Sequence, residues 1–128
     1  YLTLAMAGIG YVWLGLDGIL VLGTSTAAFH LIMIGGFLLM MMQVFTIAGV
    51  SHSSLDLFFP RVSHLALACL ILAALSRSLG SLMATYYGLY VFYLPALLIA
   101  CAFALYIPVF YYIFTHNPGA EVTPQIKD

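Results

Sequence analysis

The chain has 128 residues, of which 65% are hydrophobic and 5% charged, and its mean hydropathy of +1.16 leaves too few polar side chains to cover a water-soluble surface. A net charge of −1 with only three Lys and Arg excludes a nucleic-acid footprint, because phosphate binding needs clustered cations. The lipid bilayer is the environment that such a composition suits.

A membrane-spanning helix needs roughly 20 mainly apolar residues, because the hydrocarbon core is about 30 Å thick. Four stretches meet or approach that length: from Tyr1 to about Leu22, Ala27 to Val50, Pro60 to Leu75, and Thr85 to Phe114. The connections between them are short and rich in turn and polar residues: Gly23–Thr26, Ser51–Asp56 and Ser76–Ser81. Connections this short make neighbouring helices antiparallel. The expected fold is therefore all-α, an integral membrane bundle of four antiparallel transmembrane helices over residues 1–116, with a polar tail at 117–128. The start of the chain, the second connection and the tail share one membrane face, here called face A. The first and third connections share face B. Arg61 and Lys127 on face A against Arg77 on face B tilt the positive-inside rule toward a cytoplasmic face A.

The opening residues lack a basic flank and a small-residue cleavage site, so they read as a first span cut from a longer sequence and not as a signal peptide. Pro60 suits the first turn of the third span. Pro95 and Pro108 fall inside the fourth, where kinks are expected and the carbonyls of Val91 and Ala104 lose their helical donors. Ala96, Ala100 and Ala104 form a small-residue seam on that helix, and aromatic belts are expected near Tyr86–Tyr93 and Phe110–Phe114. Cys69 and Cys101 lie in apolar runs and read as small buried hydrophobes.

An ionisable side chain inside a span costs on the order of 2.5 kcal/mol or more, so each one calls for a partner or a function. Asp17 and His30 flank the tight first connection and are expected at the same depth, with the carboxylate orienting the imidazole; a structural pair and a cofactor site fit this equally. Arg77 closes the third span at the same face. Face A collects His52, His64 and His116, and Arg61 one turn before His64 suits an anionic group such as a haem propionate. Imidazoles are common ligands of haem iron and copper. His30 and His52 lie 22 residues apart, which on a regular helix puts them on one face, about 40° apart in direction and about 33 Å apart in height. Two separate sites follow, one near each face.

A histidine opening a helix, a glycine five residues later and a second histidine 22 residues after the first, here His30, Gly35 and His52, resemble the NnrS family of bacterial membrane proteins. Arg77 in AALSRSLG resembles that family's arginine after the next helix, and ALLIACAFALYIPVFYYIF its closing helix. The likeness covers about residues 27–115. It departs around His52, where Ser51 and Ser53-Ser54-Leu55 replace the family's Gly before and Thr-Gly-Arg after, and at Ile47, where an arginine is expected. The resemblance implies haem b and copper, a role in nitric oxide stress or respiratory electron transfer, and the bacterial inner (cytoplasmic) membrane. It implies His30 and His52 as metal ligands with Arg77 in support; by their positions His64 and Arg61 are added as cofactor-binding candidates and Asp17 as support for His30. Four spans are fewer than that family has, so further transmembrane helices or subunits are expected partners. Two other readings stand beside it: an accessory subunit packing through the alanine seam, and a proton relay through Asp17 and His30. No catalytic motif is present.

Overall fold

A computed structural model describes residues 1–52, 61–83 and 88–115. Its helices are α1 (Leu2–Leu20), α2 (Ser25–His30), a π-helical segment (Leu31–Leu38), α3 (Leu39–His52), α4 (Arg61–Leu82) and α5 (Tyr90–Thr115). The second, third and fourth of these run without a break, so the described residues contain four helices long and apolar enough to cross a membrane. The shortest, α1, has 19 residues and rises about 28 Å. Pro60, the sequence from 53 to 60, Tyr86 and the tail from His116 onward lie outside the described residues.

The helices pack in alternating directions. A Cβ placed on Gly10 would meet Ile32, and one placed on Gly36 would meet Ala7, so α1 runs against the second span. Ser78 near the end of α4 reaches Ala27 near the start of that span, and Gly80 of α4 lies against Val91 of α5. Gly49 meets Ile113 and Phe114, which sets α5 parallel to the second span. The central helix is α4, whose Ala66, Leu70, Ala73 and Ala74 are completely buried between the second span and α5. Met6, Leu31, Leu39, Met42, Ala102 and Tyr106 complete the core.

The π segment was not foreseen. Gly35 and Gly36 stand within it, both against α1: an added Cβ would come 2.9 Å from the Met6 sulfur at the first and 3.0 Å from the Ala7 Cβ at the second. Two adjacent glycines weaken a regular helix, and their missing side chains let α1 approach the second span closely at this segment. A π turn advances fewer degrees per residue, so the 100° count between His30 and His52 does not survive it, and the expectation that they share one face is withdrawn.

The polar stretch Ser76–Ser81, expected as a connection, is helical and lengthens the third span to 22 residues. Its serines satisfy their own hydroxyls: Ser76 donates to the Ala73 carbonyl at 3.1 Å, Ser81 to that of Ser78 at 2.7 Å, and Ser78 to Ala27 across the bundle. Helix α5 is continuous through Pro95 and Pro108. The carbonyl of Val91, which Pro95 deprives of a donor, accepts from the Arg77 guanidinium at 3.4 Å. Ala96, Ala100 and Ala104 face outward, so the seam is unused within this chain, and Cys101 is exposed where a buried position was expected.

Candidate functional site

The first connection is built around Asp17. Helix α1 ends with Val21 in the left-handed region, φ 53°, its N–H donating to the Asp17 carbonyl at 2.8 Å. Gly23 follows at φ 70°, which needs no Cβ to be accommodated. One Asp17 carboxylate oxygen accepts from the Thr24 N–H at 2.6 Å and from the Thr24 hydroxyl at 2.7 Å. Trp13 donates its indole N–H to the same hydroxyl oxygen at 3.0 Å. This corrects the expected pairing: the buried Asp17 holds the turn and does not hold His30. The reason is reach, since a carboxylate one turn inside a helix end is nearest to the amides of the chain that leaves it.

His30 takes its partner from its own helix. Its Nδ1 lies 2.6 Å from the Thr26 carbonyl oxygen, four residues back. A carbonyl only accepts, so Nδ1 carries a proton, and in the neutral ring the lone pair is on Nε2. The ring is half-buried at the junction where the π segment begins, and π turns inside helices are frequent at functional sites.

Arg77 stands on the last turns of α4. Its guanidinium lies 4.3 Å from the centre of the Phe92 ring, besides its contact with Val91. A cleft of about 390 Å³ opens here, with Thr24, Thr26, Arg77, Ser81, Val91 and Phe92 among its walls. Thr26 thus joins the two features, lining the cleft and holding His30 by its carbonyl.

Face A is arranged differently. Arg61 and His64 are both exposed on the first turns of α4. Between them in sequence, the Ser63 hydroxyl is buried and has no hydrogen-bond partner among the described residues. His52 closes α3, but its side chain lies outside the described part of the structure, as does His116. The helices are joined at this end by Thr46, which donates to the Met42 carbonyl at 2.8 Å and shares a 2.7 Å hydrogen bond with the Tyr106 hydroxyl. Phe45, Phe110 and Phe114 stack around that link. Among the described residues, no three His, Cys, Asp or Glu side chains come together as a metal site.

Sequence reasoning singled out Asp17, His30 and Arg77 but missed what joins the last two. Thr26 and Ser81 carried no signal beyond being turn and helix-end hydroxyls. The Val91 contact was legible, because Pro95 marks the carbonyl four residues before it.

No curated protein and no solved structure matches the chain. The family model described as NnrS protein matches residues 1–117, nearly its whole length. With that match and four helices of membrane-spanning length and apolarity, the chain belongs to the NnrS family of multi-pass membrane proteins.

Proposed function

We propose that this chain binds haem in the bilayer and serves nitric oxide stress or respiratory electron transfer in the bacterial inner membrane, and that His30 is a residue that would hold the iron. The observation that supports this most is the Nδ1 contact of His30 with the Thr26 carbonyl. A backbone carbonyl on one ring nitrogen sets the tautomer, fixes the ring plane and raises the basicity of the other nitrogen, as is usual for ligating histidines. The donor set fits haem, which asks the protein for one or two axial nitrogens. Haem bound there supplies one-electron redox chemistry or a coordination site for a small diatomic molecule. Thr26 orients the ligand, and Asp17 acts one step further out by holding the turn that leads into α2.

Copper suits the described residues less well, since soft or imidazole donors do not converge in threes. In this reading His52, His64 and Arg61 form a second site only with donors from outside the described residues. A second reading, an accessory subunit in a larger complex, has support in the outward stripe of Ala96, Ala100 and Ala104, which would let another helix approach closely. The decisive experiment is a visible spectrum with metal analysis of the purified chain. A Soret band that disappears in His30→Ala supports haem ligation. A colourless, metal-free and folded preparation rejects it in favour of the accessory role.

A further inference from the structure

We propose that the cleft walled by the α1–α2 turn, the end of α4 and the start of α5 binds the oxyanion head of an amphiphile, with Arg77 as its cationic anchor. The cleft, about 390 Å³, is within the size range of small-ligand pockets, roughly 300–1,000 Å³. Its walls divide by chemistry. Arg77 and Thr26 offer polar groups beside Thr24 and Ser81, whose hydroxyl protons are given to Asp17 and Ser78, while Val91 and Phe92 offer apolar surface. That mixture at the end of a span suits a charged head carried on an apolar body.

Arg77 supplies the charge argument. A guanidinium this close to the end of a span reaches the interface, the depth at which an anionic head lies. Asp17 is the one carboxylate among the described residues, and its bonded oxygen is occupied by Thr24. Among the described residues no carboxylate lies within ion-pair distance of Arg77. The guanidinium carries five N–H donors. One of them makes a long bond of 3.4 Å to Val91, and the Phe92 ring supports the plane of the group from one side. The remaining donors form the planar fork that matches a phosphate or carboxylate.

Two sources share this chemistry: the phosphate of an anionic lipid, and the propionate of the haem proposed above. The second rests on the haem reading, since it requires iron on His30 one turn from the cleft. The first does not.

The chain reports on its own cleft, because Trp13 is its sole tryptophan and bonds to the Thr24 hydroxyl in the cleft wall. Dihexanoyl phosphatidylglycerol and dihexanoyl phosphatidylcholine are titrated against the detergent-solubilised full chain by Trp13 fluorescence. Haemin and its dimethyl ester are titrated separately by Soret absorbance. We expect the acidic member of at least one pair to bind about tenfold more tightly. That preference disappears in Arg77→Gln and is partly kept in Arg77→Lys, which retains charge without the fork. Preference in the lipid pair alone assigns a lipid head, and preference in the haemin pair alone assigns a propionate. The proposal is overturned if neither pair is discriminated by the wild type. It is equally overturned if Arg77→Gln, with unchanged helical circular dichroism, keeps the preference. Loss of all haemin binding in His30→Ala, with the lipid preference intact, reads on the haem proposal and leaves the cleft assigned to lipid.

Discussion

The two ends of this bundle carry similar residues in sequence and place them at different depths, buried or half-buried at one end and exposed at the other. At face B, Asp17, His30 and Arg77 are each held by neighbouring backbone or turn groups: Thr24, the Thr26 carbonyl, and the Val91 carbonyl with the Phe92 ring. At face A, Arg61 and His64 are exposed on the first turns of α4, and Thr46 and Tyr106 share a hydrogen bond that joins two helices. The difference shows that ionisable residues alike in type can end at different depths, and that at face B burial brings backbone groups that orient them. Residue type and spacing alone are not enough. Face B has such backbone because the first connection is tight and α4 continues through its serines to meet it.

The largest effect expected to separate the two ends is on the haem proposed above. His30→Ala is expected to abolish Soret absorbance, while His64→Ala leaves it near the wild-type level; purified material compared at equal protein concentration decides this. Equal loss in both variants would erase the distinction between the faces.

Asp17→Ala should come next. It removes the acceptor for two Thr24 donors and leaves the turn into α2 unheld, so thermal stability falls more than in Arg61→Ala. A melting curve in detergent that is the same for both would show that the face B turn does not depend on its carboxylate.

The α1 seam offers a paired test. In Gly10→Ala the new methyl would stand 2.5 Å from Ile32 Cγ1 and 3.3 Å from the Ala28 carbonyl oxygen, an overpacking worth about 1–3 kcal/mol of destabilisation. Gly15→Ala on the same helix meets nothing within 4 Å and should be neutral or stabilising. Equilibrium unfolding in mixed micelles measures both, and equal stabilities would refute the close approach of α1.

A smaller gain is expected at Val21. A β-branched residue at φ 53° is strained, and its side chain is 85% exposed, so Val21→Gly loses little packing. Relief of the strain should raise stability by about 1 kcal/mol, read in the same unfolding experiment. The smallest effect belongs to face A. Thr46→Val removes the interhelical bond to Tyr106, whose hydroxyl keeps the Met42 carbonyl at 3.2 Å as acceptor. Interhelical hydrogen bonds in membranes average about 0.6 kcal/mol, and a loss of that order is expected. A much larger loss would make face A the better-held end and reverse the comparison.

Much of this was legible in the residues themselves. Four apolar runs and short polar connections determine four spans in alternating directions, because hydrophobic length and loop length leave few other arrangements in a bilayer. Pro95 identified in advance the carbonyl that Arg77 satisfies. The family likeness rested on His30, Gly35 and His52, whose spacing is a property of the chain alone.

The tertiary structure decided the partners. Whether Asp17 meets His30 or Thr24 depends on the exact path of a turn with Val21 and Gly23 at positive φ, which composition does not specify. Whether Ser76–Ser81 is loop or helix depends on acceptors such as Ala27 on another span. The direction of His52 relative to His30 depends on a π segment formed where α1 approaches Gly35 and Gly36. Each of these outcomes is settled by contacts between helices, and local sequence constrains such contacts only through the side chains it offers to them. The spans followed from hydrophobicity, which is additive along a chain; the site followed from distances between chain segments, which are not.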